Sequence, residues 1–163
     1  MAVSVVEVSV GTDAGSTSGT QSATLAATPV AGDVVVAVYA STRNTARTAS
    51  GVAGLGASWA RAAGTANTVE FWLGTGATAS GTVTVTQAGS GRGIVTLYLV
   101  RGLTATTGVV SLTNAASVQA LTGPSENAAP GQIAITGLAT VNGTIVTFPS
   151  AVGLGPPRQN MSW

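Results

Sequence analysis

Residues 31–42 read AGDVVVAVYAST, and their apolar side chains fall on both sides of an extended chain. Val34, Val36 and Val38 point one way, and Val35, Ala37 and Tyr39 the other. The pattern predicts a strand buried on both faces. Residues 93–101, GIVTLYLVR, repeat it, with Ile94, Tyr98 and Val100 on one side and Val95, Leu97 and Leu99 on the other. These two runs are predicted to pair as central strands, since neither suits an exposed edge. Residues 82–86, TVTVT, follow a different rule. Val83 and Val85 alternate with three Thr, as in a sheet with one solvated face.

The remaining stretches fit the same class. In residues 3–10 the apolar phase slips from Val3 and Val5 to Val6, Val8 and Val10, which predicts a bulge near Val5 and Val6. Residues 21–28 form a weaker strand, and 29–33, PVAGD, a turn. Residues 43–58 are the longest irregular stretch. In residues 65–73, TANTVEFWL, the residues Val69, Phe71 and Leu73 alternate with Glu70 and Trp72, predicting a half-buried strand with Trp72 on its wetter side. Residues 88–92, AGSGR, turn the chain into the second central strand.

Beyond residue 101 the period weakens, with 109–112 and 117–121 as short candidate strands and 124–131 as a loop. Asn142-Gly143, between runs 132–141 and 144–148, suits a type I′ hairpin because both central residues need positive φ. Residues 149–163 carry three Pro and the apolar anchors Val152, Leu154 and Trp163. No stretch reaches a three-turn amphipathic helix. The expectation is an all-β fold: a two-sheet antiparallel β-sandwich, jelly-roll or Ig-like, over residues 1–148, followed by an extended C-terminal arm, 149–163.

Composition narrows the chemistry. The 163 residues are enough for one domain that buries roughly 70% of its unfolded surface. There is no His and no Cys, and all six basic residues are Arg. The commonest general bases, the most easily activated nucleophiles and most transition-metal ligands are therefore missing. No enzymatic activity, cofactor or metal is expected. Charged residues are 7% of the chain and the net charge is +1, which gives no electrostatic footprint for nucleic acid. Such a surface is covered by hydroxyls and small residues or buried against neighbours. The same composition also follows from a GC-rich genome. The first residues, MAVSVVEVSV, have neither a basic n-region nor an apolar h-region with a cleavage site, and no run reaches the ~18 apolar residues that span a bilayer. Neither a signal peptide nor membrane insertion is expected.

The five acids, Glu7, Asp13, Asp33, Glu70 and Glu126, are scattered singly, so no carboxylate pair is offered for glycoside hydrolysis. Asp33 fits a turn in which its side chain bonds nearby backbone N–H groups. Ser90, in GSGRG, lacks the G-x-S-x-G spacing and a following helix, and GVAGLG, residues 51–56, lacks a βαβ context. Both read as turns. The three Trp are more informative. Trp59 reads as a plug of the sandwich end ahead of a ligand platform. Trp72 has two readings, an interface anchor or sugar platform on one side and a place in the core of the second sheet on the other. Trp163 is expected to dock on its own or a neighbouring subunit. The Arg residues read as solvated loop charges or inter-subunit salt bridges.

The order of features resembles a β-sandwich domain that recurs in virion proteins of tailed phages and in surface proteins of high-GC bacteria. The matching pieces are AGDVVVAVYAS, then GLGASWARA, VEFWLGTGAT, GTVTVTQAGSGRGIVTLYLVRGL and APGQIAITGLAT, with a Pro- and Met-containing tail. The resemblance covers about residues 2–163. It implies a non-enzymatic structural protein, a minor tail or capsid decoration protein located in the virion and made in the host cytoplasm. Its partners would be copies of itself, in homotrimers by family analogy, and other virion proteins. Trp72, Val152, Leu154, Arg158 and Trp163 are the candidate assembly residues. The alternative is a carbohydrate-binding or adhesion module for a host surface glycan, with Trp59 and Trp72 as the platform.

Overall fold

Alternation of apolar and small polar residues, punctuated by Gly-rich turns, builds eight strands in the computed structural model, which describes residues 3–12, 14, 17–41, 48–64, 69–103 and 135. They are β1 Ser4–Val10, β2 Thr20–Leu25, β3 Val34–Ser41, β4 Ala49–Ala53, β5 Ser58–Gly64, β6 Val69–Thr75, β7 Gly81–Gln87 and β8 Gly93–Arg101. Five of them form one sheet in the order β1-β8-β3-β6-β5, and three form a second in the order β2-β7-β4. Every pairing is antiparallel. No helix occurs among the described residues.

The expected sandwich is present. Its interior joins Ala23, Leu25, Ala49, Val83 and Val85 of the smaller sheet to Val35, Ala37, Tyr39, Val95, Leu97 and Leu99 of the larger one. The two doubly apolar runs, β3 and β8, lie side by side within the larger sheet, in the register Val34↔Val100 to Ser41↔Gly93. The slipped phase of β1 is a bulge, since its register with β8 shifts between Val5 and Glu7. In β7, Val83 and Val85 are fully buried while Thr82 and Thr86 are exposed, as alternation predicts.

Two expectations need correction. The stretch 43–58, read as irregular, contains β4, which pairs with β7 through Ala49↔Gln87 to Ala53↔Thr84. Its sequence, ASGVA, has a single large apolar residue, so hydrophobic periodicity is too weak to announce it. The faces of β6 are also the reverse of what was expected. Glu70 stands opposite Tyr39 and Trp72 opposite Ala37, both interior residues, so Glu70 and Trp72 face the smaller sheet. Val69, Phe71 and Leu73 lie on the other side of the larger sheet, with Val36, Val38 and Val100. The usual rule that the apolar side faces the core fails here because the sheet is apolar on both sides.

Two glycines permit close packing. At Gly74 an added Cβ would lie 2.8 Å from the ring of Trp59, so the indole of β5 rests directly on the β6 backbone. At Gly54, with φ +129°, a Cβ would run into the carbonyl oxygen of Thr82. Leu55, next in the chain, holds a left-handed φ of 60°. It is kept there by burial in the interior and by the hydrogen bond that its carbonyl accepts from Thr78 N, 3.0 Å. The candidate strands at 109–112 and 117–121, the Asn142-Gly143 hairpin and the arm 149–163 lie outside the described residues.

Candidate functional site

A group of polar and aromatic side chains lies where β6, β5 and β4 meet. Alternation aims Glu70 into the sandwich, where it is 2% exposed. Its Oε1 accepts a hydrogen bond from Ala49 N of β4 at 2.9 Å, and its Oε2 one from Trp72 Nε1 at 3.0 Å. Arg61 of β5 places NH1 3.6 Å from the same Oε2 and its guanidinium carbon 6.0 Å from the centre of the Trp72 ring. That distance is the outer limit of a cation–π contact. Glu70 thus ties the larger sheet to the smaller one, with an aromatic and a cation from its own sheet around it. A buried carboxylate with these three partners is a satisfied acceptor.

The other described carboxylates are held in the same manner. Glu7, on β1, accepts from Ala26 N at 2.9 Å and Ala27 N at 2.6 Å, just beyond the end of β2. Asp33 takes a two-pronged Arg101, with Nε to Oδ1 and NH2 to Oδ2 both at 2.9 Å, while Val30 N donates to Oδ2 at 3.0 Å. The hydrogen bonds from the Arg101 guanidinium hold the Asp33 carboxyl below the usual carboxylate range. The turn role expected of Asp33 is present. Arg61 and Arg101, read as solvated charges or inter-subunit bridges, each pair with an acid of their own chain.

At the Glu70 end the interior contains further polar groups. Gln21 bonds Ala14 N through Oε1 at 2.9 Å and Gly91 O through Nε2 at 3.1 Å, holding two loops together. Gln87, whose register partner is Ala49, has both ends of its amide buried without a hydrogen-bond partner, and so does Ser41 with its hydroxyl. No group of three or more His, Cys, Asp or Glu that could hold a metal ion occurs among the described residues. No helix of the described residues is long and apolar enough to cross a membrane.

Among the side chains singled out from the sequence, Trp72 lies on the side of the larger sheet that faces the smaller one. It is half-buried against the interior, with its indole N–H bound to Glu70. Trp59 is likewise half-buried against the interior and donates Nε1 to Gly54 O at 3.2 Å. The two sit on neighbouring strands but at different levels, since Trp59 faces Gly74 and Arg61 faces Trp72 across the β5–β6 pair. Val152, Leu154, Arg158 and Trp163 lie outside the described residues. Sequence reasoning missed Glu70 as an inter-sheet tie. The sequence places Glu70 on one side of its strand with Trp72, but its partner Ala49 N comes from a strand whose own sequence gives little periodic signal. No protein-family model, curated protein or solved structure matches the chain.

Proposed function

We propose that this chain is a non-enzymatic structural protein of a tailed-phage virion, a minor tail or capsid decoration component that acts through subunit–subunit contacts. The observation that supports this reading is the fate of the carboxylates. Glu7, Asp33 and Glu70 each have both oxygens bonded to backbone N–H groups, to an arginine or to a tryptophan N–H, and each fixes one element against another. These three carboxylates serve the rigidity of the described body. A chain with 7% charged residues also buries its surface against neighbours at small desolvation cost. The β1 edge adds an exposed apolar pair, Val5 and Val6 at 40% and 41%, beside the bulge. Such a strip suits contact with another subunit and is unfavourable in open solvent.

Light scattering on the untagged chain, compared with a chain ending at Phe148, tests the proposal. A stable oligomer that dissociates on truncation is the expected result, because residues 149–163 then clamp a neighbour. A monomer in both forms would overturn it. Glycan binding by that monomer, lost in Trp72→Ala, would establish the adhesion module in its place.

A further inference from the structure

The side of the larger sheet that faces away from the smaller one is not a solvent face. Val36, Val38 and Val100 point to it and are 5%, 6% and 1% exposed. Val34, Val69, Phe71, Leu73 and Tyr98 surround them, partly buried, and none of these residues carries a charge. A sheet side this apolar needs a further layer. Leu103, just after β8, packs on the same group. Ile135 also packs there, from far along the sequence. Around it the sequence QIAITGL alternates Ile133 and Ile135 with Ala134 and Thr136, an extended pattern with one apolar side.

We propose that the outer side of the five-stranded sheet is covered in cis, by the part of this chain that Ile135 anchors. The domain then has three layers, and its third is supplied in cis. This inference stands apart from the virion role. It concerns which part of the chain completes the fold, whatever that fold assembles with.

The natural absence of cysteine makes the test direct. In the full chain, Ile135→Cys is combined in turn with Val36→Cys, Val38→Cys and Val100→Cys, each pair is oxidised, and the products are resolved by mass under non-reducing, denaturing conditions. The expected result is an intramolecular disulfide in at least one of the three pairs, at monomer mass, and none for Ile135→Cys with Thr84→Cys, whose Thr84 lies on the outside of the smaller sheet. An oligomer with the cover in cis still gives monomer-mass disulfides, so the assembly proposal and this one fail separately. Covalent dimers in place of monomers would mean that a second copy supplies the layer, and would overturn the assignment. No disulfide in any of the three pairs would overturn it too. Should the paired variants fold poorly, Ile135→Asp in the full chain serves as the second test. It should lower Tm by about 5–10 °C and raise binding of a hydrophobic dye several-fold. An unchanged Tm and dye signal would overturn the proposal.

Discussion

The outer sides of the two sheets obey different rules. On the smaller sheet, Ser22, Thr24, Thr82 and Thr86 are exposed on the far side of Ala23, Leu25, Val83 and Val85, and Thr24 and Thr82 are within hydrogen-bond distance across the strands at 3.0 Å. On the larger sheet the corresponding positions are Val36, Val38 and Val100, and they are buried. The same two-residue period therefore records different surroundings. Threonine marks a sheet that ends in water, and valine on both sides marks one with a further layer. Charge follows the same division. β2, β4 and β7 contain no ionisable side chain, whereas β1, β5, β6 and β8 contribute Glu7, Arg61, Glu70 and Arg101.

The sharpest way to break this contrast is to place a carboxylate on each outer side. Val100→Asp should cost about 3–5 kcal/mol, because the new charge is buried with no partner, and the chain will fold weakly or not at all. Thr84→Asp should cost less than about 1 kcal/mol, since its charge reaches water. Urea unfolding of both variants decides the matter. Equal, small losses would make the outer side of the larger sheet a solvent face.

A gentler pair measures how well the covered side is packed. Val83→Ala removes two methyl groups from the interior, and Val36→Ala removes two from the outer side of β3. Each should lose about 1.5–3 kcal/mol. A loss at Val36 well below that at Val83 would mean that the covering layer relaxes around the gap and is looser than the sandwich interior.

A smaller effect separates the charged sheet from the neutral one by pH. Asp33 has a folded-state pKa below its unfolded value, so its contribution is complete above the unfolded value of about 3.9 and is lost as pH falls through the lower folded value. Because the Arg101 side chain is 37% exposed, water screens the pair and the loss stays below that of the valine variants. Asp33→Asn should therefore melt lower than the parent at pH 7 and fall less steeply below about pH 4. Parallel melting curves over that range would remove Asp33 as the source of acid sensitivity.

Legibility in the sequence tracked how strong the local apolar and turn signal of each element is. β3, β7 and β8, the bulge in β1 and the Asp33 turn could all be read directly, because periodicity and turn chemistry are local properties. β6 could not be oriented. Alternation separates Val69, Phe71 and Leu73 from Glu70 and Trp72, but it does not say which set faces the other sheet when both sides of a sheet are covered. β4 was hidden because Ala, Ser and Gly give little periodic signal. Without β4 there was no backbone N–H to satisfy Glu70, which is why that residue looked solvent-facing. The candidate site depended on the register between distant strands, and no local pattern encodes that.

The last comparison tests the neutral sheet from within, through its two buried glutamines, and its smallest effect is the one at Gln87. Gln21 has a partner at each end of its amide, Ala14 N and Gly91 O, whereas the Gln87 amide is buried with none. A buried polar group without a partner carries the cost of desolvation with no bond to offset it, and an apolar group of similar size removes that cost. Gln87→Leu should therefore gain about 1 kcal/mol, while Gln21→Leu should lose about 1–3 kcal/mol, because two backbone groups lose their partners. The midpoint of urea unfolding, at unchanged slope, reports both changes. Opposite signs would show that the interior of the neutral sheet is set by hydrogen-bond satisfaction at single residues. A loss in both variants would place Gln87 among the bonded ties of that sheet, alongside Gln21.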